Sequence, residues 1–215
     1  MTGNAAARRA LATRNASWAR ALAARLAAAG IRPNTISIFS VVFAAGAALS
    51  FVIAPVHAGY AAWLAAAACI QLRLLCNMLD GMLAIEGGLK SGTGDIYNEL
   101  PDRVADIVIL AGAGYSLRDM PYGVALGWLA AVLAMLTAYV RALSGALGFP
   151  QRFLGPMAKQ HRMFVLTLAS IVAGVEAQLS TPPHALWAGL AIIVLGSAVT
   201  AWRRTARLVR DAEAR

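Results

Sequence analysis

The sequence has 215 residues, of which 60% are apolar and 13% charged, with a mean hydropathy of +0.65. Soluble domains run nearer half apolar and a quarter charged, so one water-soluble core is excluded and a bilayer must form part of the solvent. The net charge of +9 points to anionic lipid headgroups rather than nucleic acid, because the basic residues flank apolar spans and no nucleic-acid recognition motif is present.

In chain order, residues 5–29 are Ala-rich, with Arg8, Arg9, Arg14, Arg20 and Arg25 set among Leu11, Trp18, Leu22 and Leu26. That pattern suits an amphipathic helix lying in the membrane interface, with a solvated helix as the alternative. The arginine interruptions exclude a secretory signal. Gly30 ends the segment and Pro33-Asn34 opens the first span. Apolar windows of about 20 residues place six spans at 34–54, 60–86, 94–116, 122–146, 158–177 and 184–205. The expectation is an all-α polytopic membrane protein: an interfacial helix over 1–33, a six-helix membrane domain over 34–205 and a basic tail over 206–215. Cys69 and Cys76 lie seven residues apart in the second span, too far apart along a helix to bridge, and read as packing residues. With both termini cytoplasmic, sixteen of the nineteen Lys and Arg residues fall inside, Arg118 alone falls outside, and Arg73 and Arg103 lie within spans. This asymmetry supports six spans and a cytoplasmic N-terminus, as in a bacterial-type inner membrane.

Six of the ten acidic residues (Asp80, Glu86, Asp95, Glu99, Asp102 and Asp106) fall between positions 80 and 106. Ionisable groups at membrane depth are costly and read as functional, with structural pairing as the alternative. Arg73, Asn77, Asp80 and Ala84 share one stripe of the second span, and Asn98, Asp102 and Asp106 share one of the third. The Gly-rich link between the two spans predicts an antiparallel hairpin, which sets Asn77 and Asp80 facing Asn98 and Asp102. These hard oxygen donors suit Mg²⁺ or Mn²⁺ rather than zinc. Such an ion near the cytosolic face points to chemistry on a phosphorylated lipid. Arg73 and Asp106, one turn deeper, are expected to pair across the helices.

From Asn77 the chain reads N-M-L-D-G-M-L-A-I, then eight residues, then G-D-I-Y-N-E-L-P-D. This resembles the signature of the CDP-alcohol phosphatidyltransferase family, D-x-x-D-G-x-x-A-R, eight residues, G-x-x-x-D-x-x-x-D. Asp80, Gly81, Ala84, Gly94 and Asp102 match it in type and spacing. Arg32-Pro-Asn-Thr-Ile-Ser37 resembles the family's first-span opening, and Ala138 to Gly148 resembles the fourth-span end of the phosphatidylinositol-phosphate synthase-like members. The chain departs at Asn77 and Asn98, where the signature has aspartates, and at Ile85, where it has arginine.

The resemblance implies a homodimeric transferase. It would move a phosphatidyl group from CDP-diacylglycerol, or another CDP-alcohol, to a hydroxyl acceptor that is free or phosphorylated, and release CMP. It implies four carboxylates holding two divalent ions. Here Asn77, Asp80, Asn98 and Asp102 would hold one or two Mg²⁺ or Mn²⁺ ions. Glu99 is a substitute ligand if Pro101 rotates its turn, and Asp95 is a weaker one. Asp102 would be the catalytic base. Asn34, Asp80, Gly81, Ala84 and Gly94 would bind the nucleotide donor, with Lys90 or Arg103 replacing the missing arginine. The basic group Arg152, Lys159, His161 and Arg162, joined by Arg141, would bind the acceptor; positive-inside flanking is the alternative, which explains Arg152 well and the compact K-Q-H-R group less well. Two further readings stand beside this one: a member that binds lipid or nucleotide without turnover, because of Asn77 and Asn98, and a CDP-choline or CDP-ethanolamine phosphotransferase. A transporter would spread polar residues through several spans, whereas here they gather at one end of two.

Overall fold

The structure, a computed structural model, describes residues 16–56, 59–85 and 94–214. Among these residues it is all helical, with no strand: α1 (Ser17–Ala28), α2 (Pro33–Ile53), α3 (Tyr60–Ile85), α4 (Gly94–Tyr115), α5 (Gly123–Ala146), α6 (Lys159–Gln178) and α7 (His184–Glu213). The expected positions of Arg8, Arg9, Arg14, Glu86 and Lys90, and the side chains of Ile85 and Asp95, lie outside the described residues.

Local chemistry sets the helix ends. Gly30, with φ 73°, closes α1 in the left-handed conformation that glycine adopts without strain. Pro33 then occupies the first position of α2, where its missing N–H costs nothing. The last helix is longer than the expected span. It continues past residue 205 to Glu213, because Ala, Leu and Arg favour helix and Arg207 pairs with Asp211 one turn on at 3.0 Å.

The six long helices close a ring in the order α2, α4, α5, α7, α6, α3. This corrects the expected hairpin. Although α3 and α4 are consecutive, α2 packs extensively against both, and they meet each other only at a few positions. Small residues permit this arrangement, as is usual where helices cannot rely on water to drive them together. A Cβ built on Gly112 of α4 would lie 2.7 Å from the Ala48 backbone of α2, and one on Gly127 of α5 would lie 2.5 Å from Gly114 Cα of α4. The short α1 docks on the end of the bundle, with Ala19 and Ala23 buried against Met78, Leu79, Met82 and Leu83 of α3. Arg20 and Arg25 of α1 remain exposed.

Among the described residues four helices are long and apolar enough to cross a membrane: α2, α3, α5 and α7. The other two long helices, α4 and α6, carry charges within them: Glu99, Asp102, Arg103 and Asp106 in α4, and Lys159, Arg162 and Glu176 in α6. Large apolar side chains such as Val42, Leu136, Phe164 and Leu195 point outward. An apolar surface of this extent is not stable in water, and the chain is a membrane protein.

Candidate active site

Because α3 and α4 are splayed, a cavity of about 640 Å³ opens between them, closed on the other side by the start of α6 and the ends of α5 and α7. Of the expected site residues, Asn77, Asp80, Gly81, Asn98, Glu99, Asp102, Arg141, Lys159 and Arg162 line it. Asn34, Ala84, Gly94, Arg152 and His161 do not. Arg152 sits 3.8 Å from Asp211 in a separate small cleft with Arg207. His161 is exposed, with Nδ1 2.6 Å from the Pro156 carbonyl.

Asp80 is 5% exposed; its Oδ2 accepts a hydrogen bond from the Ser37 hydroxyl at 2.6 Å. Its Oδ1 is buried and has no hydrogen-bond partner among the described residues. Asp102 is surrounded by donors. Its Oδ1 accepts from the Asn77 side-chain amide and has Arg73 Nη2 at 3.3 Å. Its Oδ2 accepts from Lys159 Nζ and has Arg103 Nη2 at 3.6 Å.

The expected pairing of Arg73 with Asp106 is present at 2.7 Å and belongs to a larger network. Arg73 Nη2 also donates to the Asp102 carbonyl at 3.1 Å. Arg162 reaches the other Asp106 oxygen at 3.1 Å, and also donates to the Met157 carbonyl and the Thr137 hydroxyl. Isolated charges at such depth are prohibitive, so the two guanidinium groups and the carboxylate form one buried unit that ties α3, α4 and α6 together.

Glu99, half exposed, pairs with Arg141 and with Arg103 at 3.5 Å. Pro101 sits inside a continuous α4, and the Glu99 carboxylate faces arginines. Arg141 also stacks on the Phe153 ring at 5.5 Å. Arg204 is one residue that sequence reasoning counted only as positive-inside flanking. From α7 it donates to the Leu154 carbonyl at 3.0 Å and the Thr137 carbonyl at 2.7 Å while lining the cavity. Thr137, Gln71 and Trp18 also line it; their types carry no chemical signal that spacing alone would reveal.

The donor set fits a divalent cation in part. A buried carboxylate oxygen without a partner is the kind of atom an ion satisfies, and Asp80 supplies one. Among the described residues no group of three or more His, Cys, Asp or Glu side chains gathers closely enough to form a cage.

No family model matches the sequence. A curated relative, the phosphatidylinositol phosphate synthase of Mycobacteroides abscessus, is 28% identical over 194 residues, covering 85% of this chain and 80% of that protein. The two are homologues. The inner membrane protein YnbA of Escherichia coli is 25% identical over 132 residues, covering 61% of this chain and 64% of that one. Crystal structures of the phosphatidylinositol phosphate synthase of Mycobacterium tuberculosis share the fold. The one with CDP-DAG bound superposes with a TM-score of 0.75 at 22% identity, over 90% of this chain and 94% of that chain. The one in complex with manganese and citrate superposes at 0.74 and 21% identity, over 88% of each.

Proposed function

We propose that this protein is a phosphatidyltransferase that takes CDP-diacylglycerol as donor, passes its phosphatidyl group to a phosphorylated alcohol, and releases CMP. The observation that carries the reading is the cavity itself: a buried carboxylate with an open oxygen, Asp80, shares it with a second carboxylate, Asp102, and with a rim of arginines. The homologue's name gives its product as a phosphatidylinositol phosphate, and the matching fold holds CDP-DAG in one crystal structure and manganese in another. Inositol phosphate is therefore the first acceptor to try.

Asp80, with Asn77, Asn98 and Asp102 around it, would hold a divalent cation. Such an ion neutralises a diphosphate and stabilises the departing phosphate oxygen. The remaining steps fall to the chain itself. Gly81, beside Asp80, leaves room for the nucleotide. Arg141 and Arg204 converge from α5 and α7 and suit the acceptor's phosphate, the arginine fork matching its oxygens. Asp102 Oδ2 takes the proton from the acceptor hydroxyl, with Lys159 beside it to steady the charge. The acceptor oxygen bonds to the lipid-side phosphorus, the bond from that phosphorus to the bridging oxygen breaks, and CMP departs. The charged helices α4 and α6 would complete six spans within the ring. The arginine and lysine bias supports placing the cavity end and both termini in the cytoplasm.

A second reading keeps binding without turnover. Both oxygens of Asp102 are already engaged or approached by Arg73, Asn77, Arg103 and Lys159, which leaves little room for an acceptor hydroxyl to reach them. The test is CMP release by the purified protein from CDP-diacylglycerol with Mg²⁺ or Mn²⁺, across phosphorylated and unphosphorylated alcohols, beside Asp80→Ala and Asp102→Ala. Release that needs a phosphorylated acceptor and both aspartates supports the transferase. Donor binding with no release under any acceptor selects the binding protein.

A further inference from the structure

The two asparagines change the charge of the ion-binding end, and the structure shows what stands in its place. Asn77 occupies a signature aspartate position, yet its amide donates to Asp102 Oδ1 and adds no charge of its own. Lys159 Nζ donates to Oδ2 of the same carboxylate. Arg73 and Arg103 approach these two oxygens at 3.3 and 3.6 Å. A carboxylate offers about four lone-pair positions, and the neighbours of Asp102 are all donors. Asp80 is different, because its buried Oδ1 lines no partner among the described residues. Lys159 is also out of place by helix electrostatics: it is the first residue of α6, the end where the helix dipole disfavours a cation. Its contact with Asp102 accounts for that position.

We infer that the site takes a single divalent cation, on Asp80, and that the Lys159 ammonium on Asp102 supplies the positive charge a second ion would bring. The inference rests on the transferase reading and deepens it. Asp80 and Asp102 carry half the negative charge of the four carboxylates that the signature implies. Against Asp80 and Asp102, one dication with Lys159 already leaves one positive charge in excess, before Arg73 and Arg103 are counted. A second dication would add two more positive charges beside groups that are already cationic, and such an excess is costly. The arrangement converts a two-ion site into one ion plus one fixed ammonium.

The probe is Mn²⁺ alone, titrated into the purified full-length chain in detergent without nucleotide, and followed by electron paramagnetic resonance. The expected result is one bound ion per chain with the spectrum of an isolated Mn²⁺, lost in Asp80→Ala. The triple variant Asn77→Asp, Asn98→Asp, Lys159→Met restores four carboxylates and is expected to bind two ions, with the broadening of a spin-coupled pair. Two ions on the unaltered chain overturn the inference, and CMP release measured on the same preparation shows whether the transferase reading survives. One ion on a triple variant that elutes and melts like the parent also overturns it. No ion bound by a chain that still releases CMP overturns both the inference and the metal dependence. Should the triple variant fail to fold, Lys159→Met alone carries the test: tighter Mn²⁺ binding than in the parent supports the inference, and binding unchanged from the parent refutes it.

Discussion

Replacing Asp106 by Ala should be among the most damaging single changes in the protein. The Asp106 carboxylate accepts Arg73 at 2.7 Å and Arg162 at 3.1 Å, and the three side chains are 3%, 0% and 2% exposed. Its removal leaves two buried guanidinium groups facing each other. Arg73 keeps Asp102 at 3.3 Å and Arg162 keeps the Met157 carbonyl, so the loss should match one broken buried pair, about 3–5 kcal/mol, rather than two. For a domain of this size that corresponds to a fall in Tm of ~6–20 °C. A second change, Arg73→Met, removes one stranded charge and should recover ~1–3 kcal/mol relative to additivity. Thermal unfolding of the four proteins in one detergent, read by thiol-reactive dye and by helicity, measures the cycle. The reasoning fails if Asp106→Ala melts within about 2 °C of the parent, since that is below the smallest loss expected from a broken buried pair, or if the two losses simply add. The double variant should also stay slow in CMP release despite its recovered fold, because Arg73 holds both the carbonyl and the carboxylate of Asp102.

Ser37→Ala removes the 2.6 Å bond to Asp80; with a buried charged acceptor left short of a donor it should lower stability by about 1–3 kcal/mol, and Mn²⁺ should restore part of the loss in a thermal melt. Gly127→Leu places side-chain atoms against the Gly114 backbone, where even a Cβ would lie 2.5 Å away. It should abolish monodisperse extraction, whereas Gly46→Ala, facing only the Cys69 sulfur at 3.3 Å, should not. Arg204→Met should raise KM for a phosphorylated acceptor by about 10–100-fold, the worth of a charged hydrogen bond, and leave KM for the donor unchanged; an equal rise in both would place Arg204 outside the acceptor pocket.

The sequence was most informative where one helix carries the whole message. Helix positions followed from apolar runs and from Gly and Pro at their ends, and the bounds of α2 to α6 lie close to those expected. The spacing of Arg73, Asn77 and Asp80, and of Asn98, Asp102 and Asp106, correctly placed each set on one stripe, and the cost of a lone buried charge correctly paired Arg73 with Asp106. What spacing cannot supply is the neighbour across a helix interface. The insertion of α2 between α3 and α4 depends on small residues such as Ala48 and Gly112 meeting, and nothing in either helix alone names its partner. For the same reason the contacts of Arg162 with Asp106 and of Lys159 with Asp102 could not be read from the sequence. Arg204 was lost among flanking arginines because its role comes from where α7 passes the cavity.

The most direct measurement follows the phosphorus. CDP-diacylglycerol labelled in the lipid-side phosphate is incubated with the purified protein, Mn²⁺ and inositol phosphate, and the organic phase is resolved by chromatography. Phosphatidyl transfer predicts that the label moves into a new phospholipid in step with CMP, and that Asp80→Ala and Asp102→Ala both stop it. Label that remains in CDP-diacylglycerol, or that appears in phosphatidic acid irrespective of the acceptor, would contradict the assignment.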